Sequence, residues 1–501
     1  MMSNKLLKSM VVFNVKNISS RSFKNLPDFT KNTFNVERGF YNYFQEPHLR
    51  FFQNLLGNER VVTDLIDLEK HNVDWYLQFR GSSDVVLKPK TTEEVSKILE
   101  FCNGNKLAVC PQGGNTGASG GSVPVFDEII ISMEMMNEII NIDEDSGTVT
   151  CQSGVILESL DKAVAEKGFV VPLDLGAKGS CHIGGNVATN AGGMRLIRYG
   201  NLHGNILGLE VVKANGEVLN LLKPMKKDNT GFHLKNLFIG SEGTLGIITK
   251  VILQCPPRPR SQHVAFLGLQ KYDKVLKTFK KARSDLGEIL SAVEVMDHAT
   301  IEFAHEYVQT VSPIGDYPFY LLIETSGSSD EHDEHKVHAF VESALNQHFV
   351  LNGTVASDHT KVRGLWELRE KVPVGFKKCG WVGLFDVSLP IKHYYTMVDE
   401  TRSFLKNRVD SVFGFGHLGD GNLHLNAVSK KYDETLKTSL EKFVAVKTTE
   451  FGGSVSAEHG VGFLKRRYLP MANSPGAFHL MTDVKKLLDP NRILNPYKIF
   501  P

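Results

Sequence analysis

The sequence predicts an α+β fold made of more than one domain. Its 501 residues are enough for two or three domains of ordinary size. Short strand-like segments alternate with helix-like segments from residue 85 onward, and glycine-rich turns interrupt them at residues 111–121, 172–193 and 239–249. The proline-rich stretch 256–259 separates this part of the chain from a second part, which is also mixed.

Charge and hydropathy argue against two classes of protein. The chain has 57 Lys+Arg against 56 Asp+Glu, which gives a net charge of +1. A protein that binds nucleic acid through its phosphates carries a basic excess, so no nucleic-acid partner is expected. The apolar run from Val125 to Met133 is interrupted by Asp127 and Glu128. No run approaches the roughly 20 apolar residues of a membrane span, so none is expected.

The amino terminus differs in composition from the rest of the chain. Residues 1–27 contain no acidic residue, and serines and asparagines are interspersed with apolar residues. The basic residues among them are Lys5, Lys8, Lys16, Arg21 and Lys24. This composition is typical of a mitochondrial transit peptide, so we assign residues 1–40 to a leader and expect the protein in the mitochondrial matrix. The alternative is a disordered tail.

Local signals predict the elements that follow the leader. Residues 41–84 are assigned to an N-terminal helical segment. Thr91-Thr92-Glu93-Glu94 predicts the capped start of a helix that runs to about Asn103. The strands predicted around it are residues 84–89, 107–110, 128–132 and 148–152.

The first glycine-rich turn, residues 111–121, allows close approach of the backbone to a ligand. A Rossmann fingerprint requires such a turn to open a helix. Here residues 122–132 predict a strand, and Pro124 disfavours an intervening helix. Nicotinamide binding of the Rossmann type is therefore a poor fit.

The three glycine-rich turns together predict one extended ligand. Backbone N–H groups in such turns converge on phosphate oxygens, and the Asn, Thr and Ser side chains add further hydrogen bonds. A dinucleotide has the length to reach all three turns. The alternative is that the turns are purely structural.

A second domain is predicted after the prolines at 256–259. Its strands are expected at residues 261–267, 319–324 and 381–389, with a helix at 272–286. We assign residues 85–258 to the ligand-binding domain and 259–455 to an α/β substrate or cap domain. The last segment, 456–501, is expected to dock back on the first domain.

Two clusters in the second half predict a metal site. Gly419-Asp420-Gly421-Asn422 is a strong hairpin turn signal, and the hairpin would bring His417 and His424 together. Glu458 lies in a second glycine-framed cluster. Two histidines and one carboxylate are a common ligand set for a divalent metal. By contrast, the charged run 331–338 is interpreted as the solvated start of a helix.

Residues 85–257 resemble the FAD-binding domain of the vanillyl-alcohol-oxidase/p-cresol-methylhydroxylase superfamily. The resemblance implies two α+β subdomains that hold FAD between them. Some members attach FAD through a His in the first turn; Gly113-Gly114-Asn115 has none, so non-covalent FAD is expected. The residues expected to contact FAD are Pro111, Gln112, Gly113, Gly114, Asn115, Thr116, Gly117, Pro172, Leu173, Asp174, Gly179, Ser180, Gly184, Gly185, Asn186, Thr189, Asn190, Gly192, Gly193, Glu242, Gly243, Gly246, Ile247 and Asn495.

The two clusters around the histidines resemble a mitochondrial branch of that superfamily, which oxidises D-2-hydroxy acids. This resemblance implies that His417, His424 and Glu458 bind Zn²⁺. It further implies that His459 is the catalytic base and a substrate contact. Arg369 and Asn426 match the family's other substrate contacts, Arg369 as the clamp for the substrate carboxylate.

The expected reaction is oxidation of D-2-hydroxyglutarate to 2-oxoglutarate. A 2-hydroxy acid can chelate zinc through its carboxylate and hydroxyl, and hydride would pass to flavin N5. Electrons would then go to an external acceptor, for which the resemblance implies electron-transferring flavoprotein. A homodimer is the working assumption for the assembly. The alternatives are a D-lactate dehydrogenase, a zinc hydrolase with structural glycine turns, and a non-catalytic flavin-binding protein.

Two positions depart from the pattern of this branch. Pro373 stands where a Thr is common, and Leu384 stands where a substrate-facing Lys is common. Leu384 cannot donate a hydrogen bond to a second carboxylate. Lys377 and Lys378 are therefore the expected donors for that group, unless the substrate is a monocarboxylate such as D-lactate.

Overall fold

The computed structural model describes residues 26–501, so the predicted leader lies outside the described residues as far as residue 25. Strands within this range are β1 Val61–Val62, β2 Val86–Leu87, β3 Val109–Gln112, β4 Ile129–Ser132, β5 Ile139–Asp143, β6 Thr148–Gln152, β7 Ile206–Val212, β8 Val218–Leu221, β9 Ile247–Gln254, β10 Ser261–Leu269, β11 Leu290–Asp297, β12 Phe319–Gly327, β13 Asn352–Ala356, β14 Trp381–Ser388, β15 Ser411–His417 and β16 Asn422–Ser429.

The helices that connect and cover these strands are α1 Thr30–Thr33, α2 Glu46–Leu56, α3 Leu65–Asn72, α4 Thr92–Gly104, α5 Leu157–Ala165, α6 Ile183–Thr189, α7 Leu196–Tyr199, α8 Leu202–Asn205, α9 Tyr272–Asp285, α10 His298–Val308, α11 Asp330–Asn346, α12 His359–Glu370, α13 Val372–Gly375, α14 Tyr394–Leu405, α15 Glu434–Glu450, α16 Leu469–Ala472 and α17 Pro475–Leu488. Within residues 26–501, no helix combines the length and the apolar character needed to cross a membrane.

Two small sheets form the part of the chain before the prolines. The first has the strand order β1-β2-β4-β3, with parallel pairs between β2, β4 and β3. Helix α4 begins where predicted, because the Thr91 hydroxyl accepts the N–H of Glu94. The second sheet has the order β5-β6-β9-β7-β8 and is antiparallel.

The strand predicted at residues 122–132 is wrong in its first half. The ladder begins only at Ile129. Upstream, the carboxylate of buried Glu128 accepts the N–H groups of Val125 and Phe126, at 3.1 and 2.7 Å. Those N–H groups therefore close a local turn and are not available to a neighbouring strand.

A seven-stranded antiparallel sheet forms the second part, in the order β13-β10-β12-β11-β15-β16-β14. Alternate residues of β10 face opposite sides, as the strand period of two requires. Ala265, Leu267 and Leu269 pack with helices α9, α11, α14 and α15, whereas Val264 and Phe266 pack with α10, α12 and α13. These findings confirm the predicted α+β class.

Both ends of the described chain contact the first part. Leu494 pairs in parallel with Val109, and the Nζ of Lys485 donates to the carbonyl of Thr244 at 2.7 Å. At the other end, the guanidinium of Arg38 pairs with Asp127 at 2.6 Å. The folded chain therefore begins before residue 41, inside the stretch assigned to the leader.

Candidate active site

Residues of all three glycine-rich turns line one cleft. The predicted FAD contacts that line it are Pro111, Gln112, Gly113, Gly114, Asn115, Thr116, Gly117, Gly184, Gly185, Asn186, Thr189, Glu242, Gly243, Gly246 and Ile247. The predicted contacts outside this lining are Pro172, Leu173, Asp174, Gly179, Ser180, Asn190, Gly192, Gly193 and Asn495. Ser153 and His182 also line the cleft and were not predicted. A strand end before Ser153 and the position of His182 inside the second turn were the available signals.

Close packing of the turns leaves no room for a side chain at one position. A Cβ at Gly114 would lie 2.0 Å from the carbonyl oxygen of Ser180. The backbones of the first and second turns are therefore in direct contact at this position.

Unpaired polar atoms indicate that the cleft takes a polar ligand. His182 Nδ1, Asn186 Oδ1 and Ser153 Oγ are buried and have no hydrogen-bond partner among the described residues. A buried polar group without a partner costs free energy of about 1–3 kcal/mol. A ligand with several hydrogen-bonding groups, such as FAD, removes this cost, so the residues present fit a dinucleotide.

The hairpin β15–β16 brings together the three side chains predicted to bind metal. In its register Phe415 pairs with His424 and His417 pairs with Asn422, so both histidines lie on one face. Their Nε2 atoms are 3.4 Å apart. Glu458 Oε1 lies 3.6 Å from His417 Nε2 and 3.7 Å from His424 Nε2. Three donor atoms thus converge on one point, as metal ligation requires.

Charges around the histidines give them opposite protonation states. Burial disfavours the charged form of His417, but the carboxylates of Glu294 and Glu458 raise its pKa to about 10. Burial, Arg369 and His417 together lower the pKa of His424 to about 3. Burial opposes ionisation of Glu458 as well, yet the two histidines hold its pKa well below the usual value.

Asp386 lies beneath this set and joins it to His459. Its Oδ2 accepts the backbone N–H groups of Glu458 and His459, at 3.1 and 2.9 Å. Its Oδ1 is 4.0 Å from His424 Nδ1, and Oδ2 is 3.7 Å from His459 Nδ1. The donor atoms of Asp386, His424, Glu458 and His459 lie within 4.8 Å of one another. Asp386 was missed in the sequence, where a lone acid in an apolar strand was its only signal.

His459 lies beside His424 and also lines the cleft formed by the glycine-rich turns. Its ring centroid is 6.0 Å from that of His424, and the planes are nearly parallel. The same side chain lines the cleft enclosed by the glycine-rich turns. A ligand bound by the two histidines and a ligand bound in the cleft would therefore both lie next to His459.

Arg369 is buried at the edge of the same set. Its Nε donates to Glu294 Oε2 at 2.8 Å, and its guanidinium lies 4.6 Å from the ring centroid of Phe415. Among the described residues the guanidinium hydrogen-bonds through Nε alone, so both Nη groups are available to a ligand. Asn426 follows on β16, two residues after His424, and pairs with Leu384 of β14.

Known proteins match this chain along nearly its whole length. The family described as "FAD binding domain" matches residues 83–222, and "FAD linked oxidases, C-terminal domain" matches residues 258–499. The mitochondrial D-2-hydroxyglutarate dehydrogenase of Danio rerio is 51% identical over 453 residues, which cover 90% of this chain and 85% of that protein. Its Rattus norvegicus counterpart is 49% identical over 472 residues, with 94% and 88% covered.

The chain belongs to the D-2-hydroxyglutarate dehydrogenase family. It is an FAD-dependent oxidoreductase that acts on D-2-hydroxy acids. The solved structure of p-cresol methylhydroxylase with substrate bound has a TM-score of 0.71 at 17% identity, covering 95% of this chain and 98% of that one. This likeness confirms the predicted fold.

Leu384, one of the two positions that depart from the family pattern, pairs with Asn426, a predicted substrate contact. Leu384 faces the same side of the sheet as Asp386, two residues later on β14. The lysines proposed to replace the family's Lys have other partners. Lys378 Nζ donates to the carbonyl of Tyr307 at 2.9 Å, and Lys377 Nζ lies 3.7 Å from the ring centroid of Trp75.

Proposed function

We propose that this enzyme oxidises D-2-hydroxyglutarate to 2-oxoglutarate with non-covalent FAD and one Zn²⁺. The observation that carries the proposal is the convergence of His417, His424 and Glu458 beside His459, which itself lines the flavin cleft. The family relatives named for this substrate support the choice of acid.

The metal would be held by His417 Nε2, His424 Nε2 and Glu458 Oε1. Three protein ligands leave a position open for a substrate. Zinc would supply Lewis acidity there and would lower the pKa of a substrate hydroxyl. Because of the lowered pKa, the neighbouring base could accept the hydroxyl proton near neutral pH.

The remaining residues would bind and deprotonate the substrate. The two Nη groups of Arg369 form a planar fork that suits a carboxylate. His459 would accept the hydroxyl proton on Nε2, while its Nδ1 faces Asp386 at 3.7 Å. FAD supplies the two-electron acceptor for the C2 hydride. Asn426 adds a polar contact on the same face of the sheet.

Metal binding should release one proton at pH 7. Of the three ligands, only His417 is protonated there, because its pKa is raised to about 10 while that of His424 is lowered to about 3 and Glu458 is ionised. Calorimetric titration with Zn²⁺ in buffers of different ionisation enthalpy measures this number. Below the pKa of His417, the apparent affinity for Zn²⁺ should also rise about tenfold for each unit by which the pH is raised. Release of no proton, or of two, contradicts these protonation states.

D-2-hydroxyglutarate should be preferred over D-lactate, and Leu384→Lys should strengthen the preference. A lysine here would give the second carboxylate a cationic donor, an effect of about tenfold for one charge-assisted hydrogen bond. The measurement is the ratio of kcat/KM for the two acids. Leu384→Met, which conserves volume without adding charge, is the matched control and should leave the ratio near its original value.

D-lactate is the second candidate substrate, and Leu384 is the observation that favours it. A leucine beside the substrate contacts suits a methyl group better than a carboxylate, since a buried charge without a partner is costly. A higher kcat/KM for D-lactate in the unmodified enzyme would establish this alternative and leave the metal and flavin roles unchanged.

The cellular location and the electron acceptor of the enzyme are proposed from its relatives and its sequence. We place the enzyme in the mitochondrial matrix, supported by the composition of residues 1–27 and by relatives named as mitochondrial. Electron-transferring flavoprotein is the proposed acceptor, on the resemblance to the family. Reoxidation of the reduced enzyme by that protein tests the second point.

Anaerobic bleaching of the flavin by a panel of acids tests the proposed function. D-2-hydroxyglutarate should bleach the yellow absorbance faster than D-lactate, and the L-enantiomers should leave it unchanged. Failure of every D-2-hydroxy acid to bleach the flavin would contradict the proposed function.

A further inference from the structure

One carboxylate that no motif marks contacts both halves of the proposed site. Glu294 lies in the middle of β11, its side chain is fully buried, and it pairs in register with His417 of β15. Its Oε1 is 2.5 Å from His417 Nδ1. Its Oε2 accepts the Nε–H of Arg369 at 2.8 Å. Each oxygen therefore accepts one N–H group. One belongs to a proposed metal ligand, and the other belongs to the proposed substrate clamp.

The contact with His417 determines which ring nitrogen can ligate a metal. Because Glu294 accepts the Nδ1–H, the lone pair of the neutral imidazole is on Nε2. That nitrogen is the one that lies 3.4 Å from His424 Nε2 and 3.6 Å from Glu458 Oε1. A metal-ligating histidine commonly donates its other N–H to a carboxylate in this way.

The contact with Arg369 determines how the guanidinium is presented. Nε is occupied by Glu294, and the plane lies against Phe415, so only the two Nη groups are left for a carboxylate ligand. The negative charge of Glu294 also gives the buried arginine its counter-ion. A buried cation without one would be strongly destabilised.

We propose that Glu294 is a positioning residue that fixes the metal ligand and the substrate clamp together. The inference rests on the proposed function in so far as His417 binds metal and Arg369 binds the substrate carboxylate. It predicts that a single change at Glu294 weakens two properties that otherwise belong to separate residues.

Glu294→Gln tests this role with little change of shape. The change replaces one carboxylate oxygen with an NH2 donor, and His417 and Arg369 contact different oxygens, so one of the two N–H groups would face a donor instead of an acceptor. We expect Zn²⁺ affinity, measured on the FAD-loaded protein by competition with a chelator, to fall about 10–100-fold. At saturating Zn²⁺ we expect KM for the bleaching acid to remain raised by about tenfold, as a misplaced clamp requires.

Glu324→Gln is the matched control. Glu324 lies on the neighbouring strand β12, is also fully buried, and pairs with Arg195 at 2.7 Å. The change removes the same buried charge without a contact to His417 or Arg369, so Zn²⁺ affinity should stay at its original value. Glu294→Asp is the second variant, since it keeps the charge and should still lose one of the two contacts.

Two results would overturn the proposal. One is original Zn²⁺ affinity or original KM in Glu294→Gln, because the proposal assigns both properties to this carboxylate. The other is a loss of Zn²⁺ affinity in Glu324→Gln as large as in Glu294→Gln, which would make the effect a general one of buried charge. If no D-2-hydroxy acid bleaches the unmodified enzyme, the proposed function fails, while Zn²⁺ affinity still tests the contact with His417.

Discussion

Replacing His424 with alanine should abolish turnover and leave the flavin spectrum nearly intact. His424 Nε2 lies 3.4 Å from His417 Nε2 and 3.7 Å from Glu458 Oε1, so the change removes one of three converging donors. Two ligands do not complete the set that zinc needs in a catalytic site. The side chain does not line the flavin cleft, and FAD should therefore stay bound.

Elemental analysis, the flavin spectrum and turnover are measured together on this variant. His338→Ala is the control, because His338 is an exposed histidine of α11 outside the site. It should retain metal, flavin and turnover. Finding no divalent metal in fully active unmodified enzyme would contradict the metal assignment.

Replacing His459 with alanine should slow flavin reduction by about 10²–10⁴-fold, the usual effect of losing a positioned general base. The ring lies beside His424 and lines the flavin cleft. A base that acts on a substrate held between the proposed metal ligands and the flavin needs this position. His459 is outside the three proposed ligands, so Zn²⁺ and FAD should both be retained. Rapid-mixing measurement of anaerobic flavin reduction gives the rate directly.

The variant must be metal-replete for this comparison. Asp386 accepts the backbone N–H groups of residues 458 and 459, so the loop should keep its position when the imidazole is removed. A near-normal rate of flavin reduction in His459→Ala with full Zn²⁺ and FAD would exclude the histidine as the base.

The sequence was informative where a local pattern implies geometry. Gly421 has a φ of +79°, which the predicted turn at 419–422 needs, and the flanking strands then place His417 and His424 on one face. The glycine-rich turns were informative for the same reason, since their backbone conformation follows from residues close together in the chain.

The sequence was uninformative where the site depends on contacts between distant strands. Glu294 and His417 are 123 residues apart, and the register of β11 against β15 brings them together. Nothing local distinguishes Glu294 from any other charge in an apolar strand. Another example is Asp174, which pairs with Arg195, and Arg195 also pairs with Glu324 of the seven-stranded sheet, a contact that no local pattern indicates.

The most direct test of the account is anaerobic flavin reduction by D-2-hydroxyglutarate before and after zinc is removed and returned. The enzyme as prepared should be reduced rapidly. After chelation it should stay yellow on the same timescale with FAD still bound, and added Zn²⁺ should restore the original rate. Equal rates of reduction with and without the metal would contradict the account, because the converging side chains of His417, His424 and Glu458 would then have no part in the reaction.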